Sequence, residues 1–221
     1  MIPFLLVIIA VLSYGLGALN GALLLSRFVF HKDLRKHGSG KITYANFCRV
    51  FGNKWGAAVI AVDVLKSAIA VMAGGLFMMI IGPQFVVIGK IFAGLWTTLG
   101  QIYPVQQQFH GNKGVVSFFT ALWLTDWRVG LVMTGVFVIV VAFSQYVSLA
   151  SMSACAVAAV ATWVFVAGDE LKGLAGTLVL FMALVIVWRQ RGSVIRLLQN
   201  KEPRVKWGKQ PDKRIREDNF L

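Results

Sequence analysis

Long apolar stretches alternate with short polar ones along this chain, and seven apolar runs stand out: residues 2–25, 56–81, 84–99, 114–124, 130–147, 148–167 and 173–188. A helix of about 20 residues crosses the hydrocarbon core of a bilayer, and most of the runs suit that length. The run at 114–124 is too short to cross comfortably. It reads as a short, tilted or half-inserted helix braced by its neighbours. The pattern therefore predicts an all-α integral membrane protein of seven transmembrane helices, one of them short. A single transmembrane domain would occupy residues 1–198, followed by a basic tail at 199–221.

Composition agrees with a lipid solvent: 57% of the residues are hydrophobic and 14% charged, with a mean hydropathy of +0.72, far from the values of a soluble domain. Charge placement adds orientation. Of the 22 lysines and arginines, all but Lys66, Lys90, Lys113, Arg128 and Lys172 fall either in the loop from Arg27 to Lys54 or in the tail from Arg189 onward. Both regions belong inside by the positive-inside rule, which puts the N-terminus out and the C-terminus in the cytoplasm. No basic residue precedes the first run and Arg27 follows it, so it reads as a permanent span rather than a removable signal. A net charge of +13 placed beside apolar spans points to anionic membrane lipids as partners, not to nucleic acid. Trp55, Trp123, Trp127, Trp188 and Trp207 lie near run boundaries, where tryptophan anchors at the interface. Cys48 and Cys155 form no metal or redox spacing.

With that topology the polar chemistry gathers on one face. His37-Gly38-Ser39-Gly40-Lys41, running on to Asn46 and Arg49, is a glycine-rich, basic, hydroxyl-bearing loop suited to an anion. Lys113 stands where the short apolar run begins, and a helix N-terminus beside a lysine is a second anion-binding arrangement, although lysine also sits there simply to reach the interface. Asp63 and Lys66 are three apart in the second run and share a helix face. They read either as an intramembrane ion pair that holds helices together or as a pair that positions the first loop over a substrate.

Taken in order, these segments resemble a known family. His37-Gly38-Ser39-Gly40 with Asn46 and Arg49, Asp63 to Lys66, Tyr103-Pro104, Asn112-Lys113-Gly114-Val115, Tyr146 to Ser151, and Val194 to Leu198 with Glu202 follow the pattern of the bacterial acyl-phosphate–glycerol-3-phosphate acyltransferase family (PlsY-type). The resemblance implies seven transmembrane helices in the bacterial inner membrane and a site facing the cytoplasm. The implied reaction moves a fatty acyl group from acyl phosphate to the 1-hydroxyl of glycerol 3-phosphate, with no metal or organic cofactor. It implies Ser39, Lys113 and Ser148 as catalytic residues, and Gly38, Gly40, Lys41, Asn46, Arg49, Lys66, Gly114, Ser193 and Arg196 as binders of substrate phosphate.

The residues suit that chemistry. An acyl phosphate is already activated, so no enzyme nucleophile is needed; the catalyst must position two anions and stabilise charge as the tetrahedral species forms. No good general base lies near the motifs, where His37 and His110 are the only imidazoles and read as solvated loop histidines, which leaves the departing phosphate to take the acceptor's proton. Departures from the family pattern fall at Lys41, Thr43, Ala45, Gln101, where a histidine is usual, Asn112, Arg191, Gly192-Ser193 and Asn200. They leave two readings: a retuned active enzyme, or a non-catalytic member that binds lipid or another anionic acceptor. A transporter ranks well below both, because the halves show no internal repeat and the polar residues cluster on one face.

Overall fold

The computed structural model describes residues 2–166, 171–200, 202 and 204. Among these, the regular structure is helical: α1 (Ile2–Ala18), α2 (Gly21–Phe28), α3 (Tyr44–Phe51), α4 (Gly56–Met79), α5 (Val86–Ile102), α6 (Val115–Thr125), α7 (Trp127–Ser144), α8 (Val147–Phe165), α9 (Lys172–Arg189) and α10 (Arg191–Leu198), with four short 3₁₀ turns between them. Each apolar run is helical over most of its described length. Five helical stretches, containing α4, α5, α7, α8 and α9, are long and apolar enough to cross a membrane, and the bent pair α1–α2 makes a sixth if counted as one span. α6 is the short apolar helix that the pattern anticipated. The expected tail residues Lys201, Lys206, Trp207, Lys209, Lys213, Arg214 and Arg216, and the polar stretch 167–170, lie outside the described residues.

The first run departs from expectation, for it breaks at Leu19-Asn20 and turns by 55°. Asn20 has extended backbone (φ −94°, ψ 115°), and its side-chain oxygen accepts from the N–H groups of Ala22 and Leu23. It is thus the N-cap of α2. The carbonyls left at the end of α1 are met by a lysine from another helix: Lys66 Nζ donates to Gly17 O at 3.2 Å and to Leu19 O. Asp63 Oδ1 holds Lys66 at 2.8 Å and accepts from Gly21 N at 3.3 Å. The pair therefore neutralises itself and fastens both sides of the break.

α5 is the hub, packed against α1, α4, α6 and α9. Small residues allow the closest contacts. A Cβ at Gly17 would lie 2.2 Å from Thr97 O, and one at Gly100 would lie 2.3 Å from Tyr14 O, so α1 and α5 pack backbone to backbone within one chain. The large apolar core joins α5 to α9, with Ile91, Phe118, Leu122, Met133, Met182 and Ile186 fully buried. A second core forms in the polar loop, where Leu34, Phe47, Val50 and Phe51 close over Ala22 and Val59, and Phe30 stacks on Phe51 at 4.2 Å. The loop is thus a folded cap on the end of α4.

The boundary between the fifth and sixth runs lies earlier than hydropathy places it. Hydropathy divides them between residues 147 and 148, but α7 stops at Ser144 because Gln145 takes a left-handed φ of 63°. Ser148 consequently lies in the first turn of α8. α6 and α7 meet at the single residue Asp126, whose carboxylate caps α7.

Candidate active site

At one end of the bundle the tip of α3, the end of α5, the start of α6, the first turn of α8 and the α9–α10 corner surround a cavity of about 1080 Å³. Gln101, Tyr103, Asn112, Lys113, Gly114, Ser148, Ser151, Arg189, Arg191, Ser193, Arg196 and Glu202 line it, joined from the cap side by Thr43, Tyr44 and Asp63. Segments far apart in sequence converge here because α6 is short. Its N-terminus reaches only as far as the cavity floor, and Lys90 from α5 caps the other end by donating to Leu124 O at 2.8 Å.

Lys113 is the centre of a continuous hydrogen-bonded group. Its Nζ donates to Ser148 Oγ at 2.9 Å and to Ser193 Oγ at 3.3 Å. Ser148 in turn donates to Glu202 Oε1 at 2.5 Å. Arg196 completes the ring, with Nε 2.6 Å from Glu202 Oε2 and its guanidinium donating to Ser193 Oγ at 2.8 Å. Four of the residues expected from sequence, Lys113, Ser148, Ser193 and Arg196, are thus one unit, and Gly114 lines the same cavity. Glu202 holds the unit together. Its role was visible only as a member of the last motif, because its place on Ser148 depends on how the chain returns after α10.

Electrostatics follow from that arrangement. The Lys113 side chain keeps surface open to the cavity, yet the protein around it strips away water. That burial pulls its ammonium below the usual lysine range, with Arg196 adding in the same direction and the Glu202 carboxylate opposing. For Glu202 burial pushes the other way, but hydrogen bonds from Ser148, Arg196 and Ser193 and the Arg196 charge outweigh it and hold the carboxyl below its ordinary value. A carboxylate held so low is a poor base.

The first loop is organised differently. Asn46, fully enclosed, accepts from Ser39 N at 2.8 Å and donates to His37 O at 3.2 Å and Lys41 O at 2.9 Å. Thr43 caps α3 by accepting from Asn46 N. Gly38 and Gly40 take left-handed φ of 63° and 69°, and a Cβ on Gly38 would strike Asn46 Oδ1 at 2.3 Å. The Asn46 side chain therefore serves as the strut of the loop. The side chains of Ser39, Lys41 and Arg49 are exposed. None of Gly38, Ser39, Gly40, Lys41, Asn46 and Arg49 lines the cavity, which the loop meets through Thr43, Tyr44 and Ala45. Lys66 is likewise absent from the lining and is bonded to the α1 carbonyls and Asp63. His110 lines the cavity, whereas His37 does not. The ring Nδ1 of each lies within 3.0 Å of a backbone oxygen, Asp33 O for His37 and Gln108 O for His110.

A second, apolar groove of about 670 Å³ adjoins the cavity through Tyr103, Trp188 and Arg191 and continues along Leu99, Phe181, Leu184 and Ile195. The site thus combines a basic, hydroxyl-lined chamber with an apolar trough beside it.

The chain is 36% identical over 206 residues to a glycerol-3-phosphate acyltransferase of Geobacillus kaustophilus, covering 90% of this chain and 96% of that one. It is 29% identical over 203 residues to the Bacillus subtilis protein of that name, with 92% and 99% covered. Its fold matches the crystal structure of PlsY (YgiH), an integral membrane glycerol 3-phosphate acyltransferase, in its glycerol 3-phosphate form. The TM-score is 0.74 at 28% identity, over 91% of this chain and 96% of that one. The lysophosphatidic acid form of the same protein matches at the same TM-score and 27% identity. Residues 7–200 match the family model for glycerol-3-phosphate acyltransferase, and the chain belongs to that family.

Proposed function

We propose that this glycerol-3-phosphate acyltransferase takes its acyl group from acyl phosphate. Lysophosphatidate and inorganic phosphate are then the products, made at a cavity facing the cytoplasm of a bacterial inner membrane. The observation that carries the reading is the convergence of Lys113, Ser148, Ser193 and Arg196 in one chamber next to an apolar groove. Phosphate oxygens suit the cationic and hydroxyl donors, and a fatty chain suits the groove between α5 and α9–α10. Seven crossings with the N-terminus outside agree with the basic residues of the first loop and the tail. Anionic lipid headgroups are the natural counterpart of that basic face.

The geometry suggests how the reaction proceeds. Lys113 and Arg196 neutralise the phosphate of the donor and stabilise charge as the glycerol hydroxyl adds to the acyl carbonyl. The C–O bond to phosphate then breaks. Ser148 donates to Glu202 and accepts from Lys113, and this supports a hydrogen-bonding role for it in the site. Since Glu202 is held as a weak base, the hydroxyl proton passes to the leaving phosphate. Ser39 and Arg49, on the cap, reach a substrate only when its phosphate extends beyond the cavity rim.

The test is purified protein in bilayer or detergent, supplied with acyl phosphate and glycerol 3-phosphate. Lysophosphatidate formation is expected, with inorganic phosphate released in equal amount. Product no greater than that of Lys113→Ala would refute the reading. A pH–rate profile that changes on replacing His37 or His110 would refute proton transfer to phosphate.

A further inference from the structure

The floor of the chamber holds a side chain that the reaction just described does not use. Gln101 lies in the last turn of α5 and is only 5% exposed, yet it lines the cavity. Its Oε1 accepts from Ser117 Oγ at 2.8 Å and from Ser117 N at 3.4 Å. The second contact decides which way the amide points. A backbone N–H can only face an acceptor, so the oxygen of Gln101 must lie toward α6 and its NH₂ on the opposite side. That Nε2 has no hydrogen-bond partner among the described residues, and the space that Gln101 lines is the cavity.

The support behind Gln101 is a buried chain of hydroxyls. Ser117 Oγ lies 2.8 Å from Ser67 Oγ, and Ser67 donates to Asp63 O at 2.7 Å. Ser67 and Ser117 are fully enclosed. Asn112 N also donates to Gln101 O at 3.0 Å, which ties this residue to the segment carrying Lys113. A buried amide backed on one side and open on the other is oriented before any ligand arrives.

We propose that Gln101 Nε2 donates a hydrogen bond to an oxygen of glycerol 3-phosphate, and that Ser117 is the positioning residue that holds the amide in register. Direction along α5 turns Gln101 away from the groove that suits the acyl chain. Leu99 faces the apolar groove, and a residue two positions further along a helix is turned about 200° from it. Gln101 accordingly serves the polar wall shared with α4 and α6. The inference rests on the acyltransferase reading above.

The experiment measures KM for glycerol 3-phosphate and for acyl phosphate separately, in wild type, Gln101→Met, Gln101→His, Ser117→Ala and the Gln101→Met/Ser117→Ala double variant. Loss of one neutral hydrogen bond raises KM for glycerol 3-phosphate by about three- to tenfold, with kcat and KM for acyl phosphate little changed. Gln101→His retains most of the affinity, because an imidazole can accept from Ser117 with one nitrogen and donate with the other. Ser117→Ala gives a smaller rise, and it adds nothing once Gln101 is Met. An unchanged KM in Gln101→Met refutes the proposal, as does an effect confined to acyl phosphate or full additivity in the double variant. If Gln101→Met does not fold, Gln101→His and Ser117→Ala still decide the matter through the same KM. An inactive wild type would refute the acyltransferase reading instead, and so the two failures are told apart.

Discussion

Two regions of this protein bear the residues expected to hold phosphate, and they are built in opposite ways. The His37–Arg49 loop is closed by Asn46 through bonds to residues five to nine positions away. Around Lys113, the partners are 35 and 80 residues distant, and Ser148 and Glu202 are 54 apart. The loop has its own apolar core and its own caps, so its shape is a local property. The Lys113 group exists only when α6, α8 and α10 are docked. A locally closed loop offers a preformed surface, whereas a group assembled across the bundle can be disturbed by any helix that shifts.

Breaking the long-range region should have the largest effect. Lys113→Ala removes the cation at its centre, and lysophosphatidate formation is expected to fall by about 10²- to 10³-fold, the usual loss for an oxyanion-stabilising donor. Lys113→Arg keeps the charge and recovers part of the rate. Steady-state assays at saturating substrates measure both.

The corresponding break in the loop is Asn46→Ala. It leaves Ser39 N, His37 O and Lys41 O without their partner, and stability is expected to drop by about 2–3 kcal/mol. Asn46→Asp keeps the acceptor for Ser39 N and loses both donors, so it should fall between wild type and alanine. Thermal unfolding in detergent ranks the three. If Asn46→Ala is as stable as wild type, the loop is held from elsewhere and the contrast fails.

A finer probe is pH. Activity requires protonated Lys113, so rate falls as pH rises through its pKa, which burial first and Arg196 next hold below the usual lysine value. Glu202 opposes that lowering. In Glu202→Gln the opposition is gone, the pKa drops further, and the alkaline limb of the kcat profile moves to lower pH. A limb that stays in place would separate Glu202 from Lys113 electrostatically.

The smallest effect is expected at Lys41. Its side chain is exposed and its bond to Asn46 uses the backbone carbonyl. Lys41→Asn should change stability by no more than about 0.5 kcal/mol and kcat/KM by about threefold or less. A larger change in kcat/KM would bring the Lys41 ammonium into contact with substrate.

Legibility in the sequence followed the range of the interactions. The seven apolar runs and the short helix α6 were readable because hydropathy is local, whereas Asn46, expected as a phosphate binder, is the strut of its own loop. The break at Leu19-Asn20 was not readable, since the first run stays apolar across it. What satisfies that break is Lys66, a residue that sequence grouped with the phosphate binders. Nor could spacing show that Ser39 and Arg49 lie outside the chamber while Tyr44, Asp63 and Gln101 line it, because a lining residue is defined by what packs behind it.

By itself, then, the order of residues determined the solvent, the helices and the family, all of which depend on composition or on neighbours a few positions apart. Tertiary structure alone decided which hydroxyls meet Lys113, which way Gln101 turns its amide and where Glu202 sits. Those outcomes depend on segments far apart in the chain approaching to hydrogen-bond distance, which neighbours a few positions apart cannot specify.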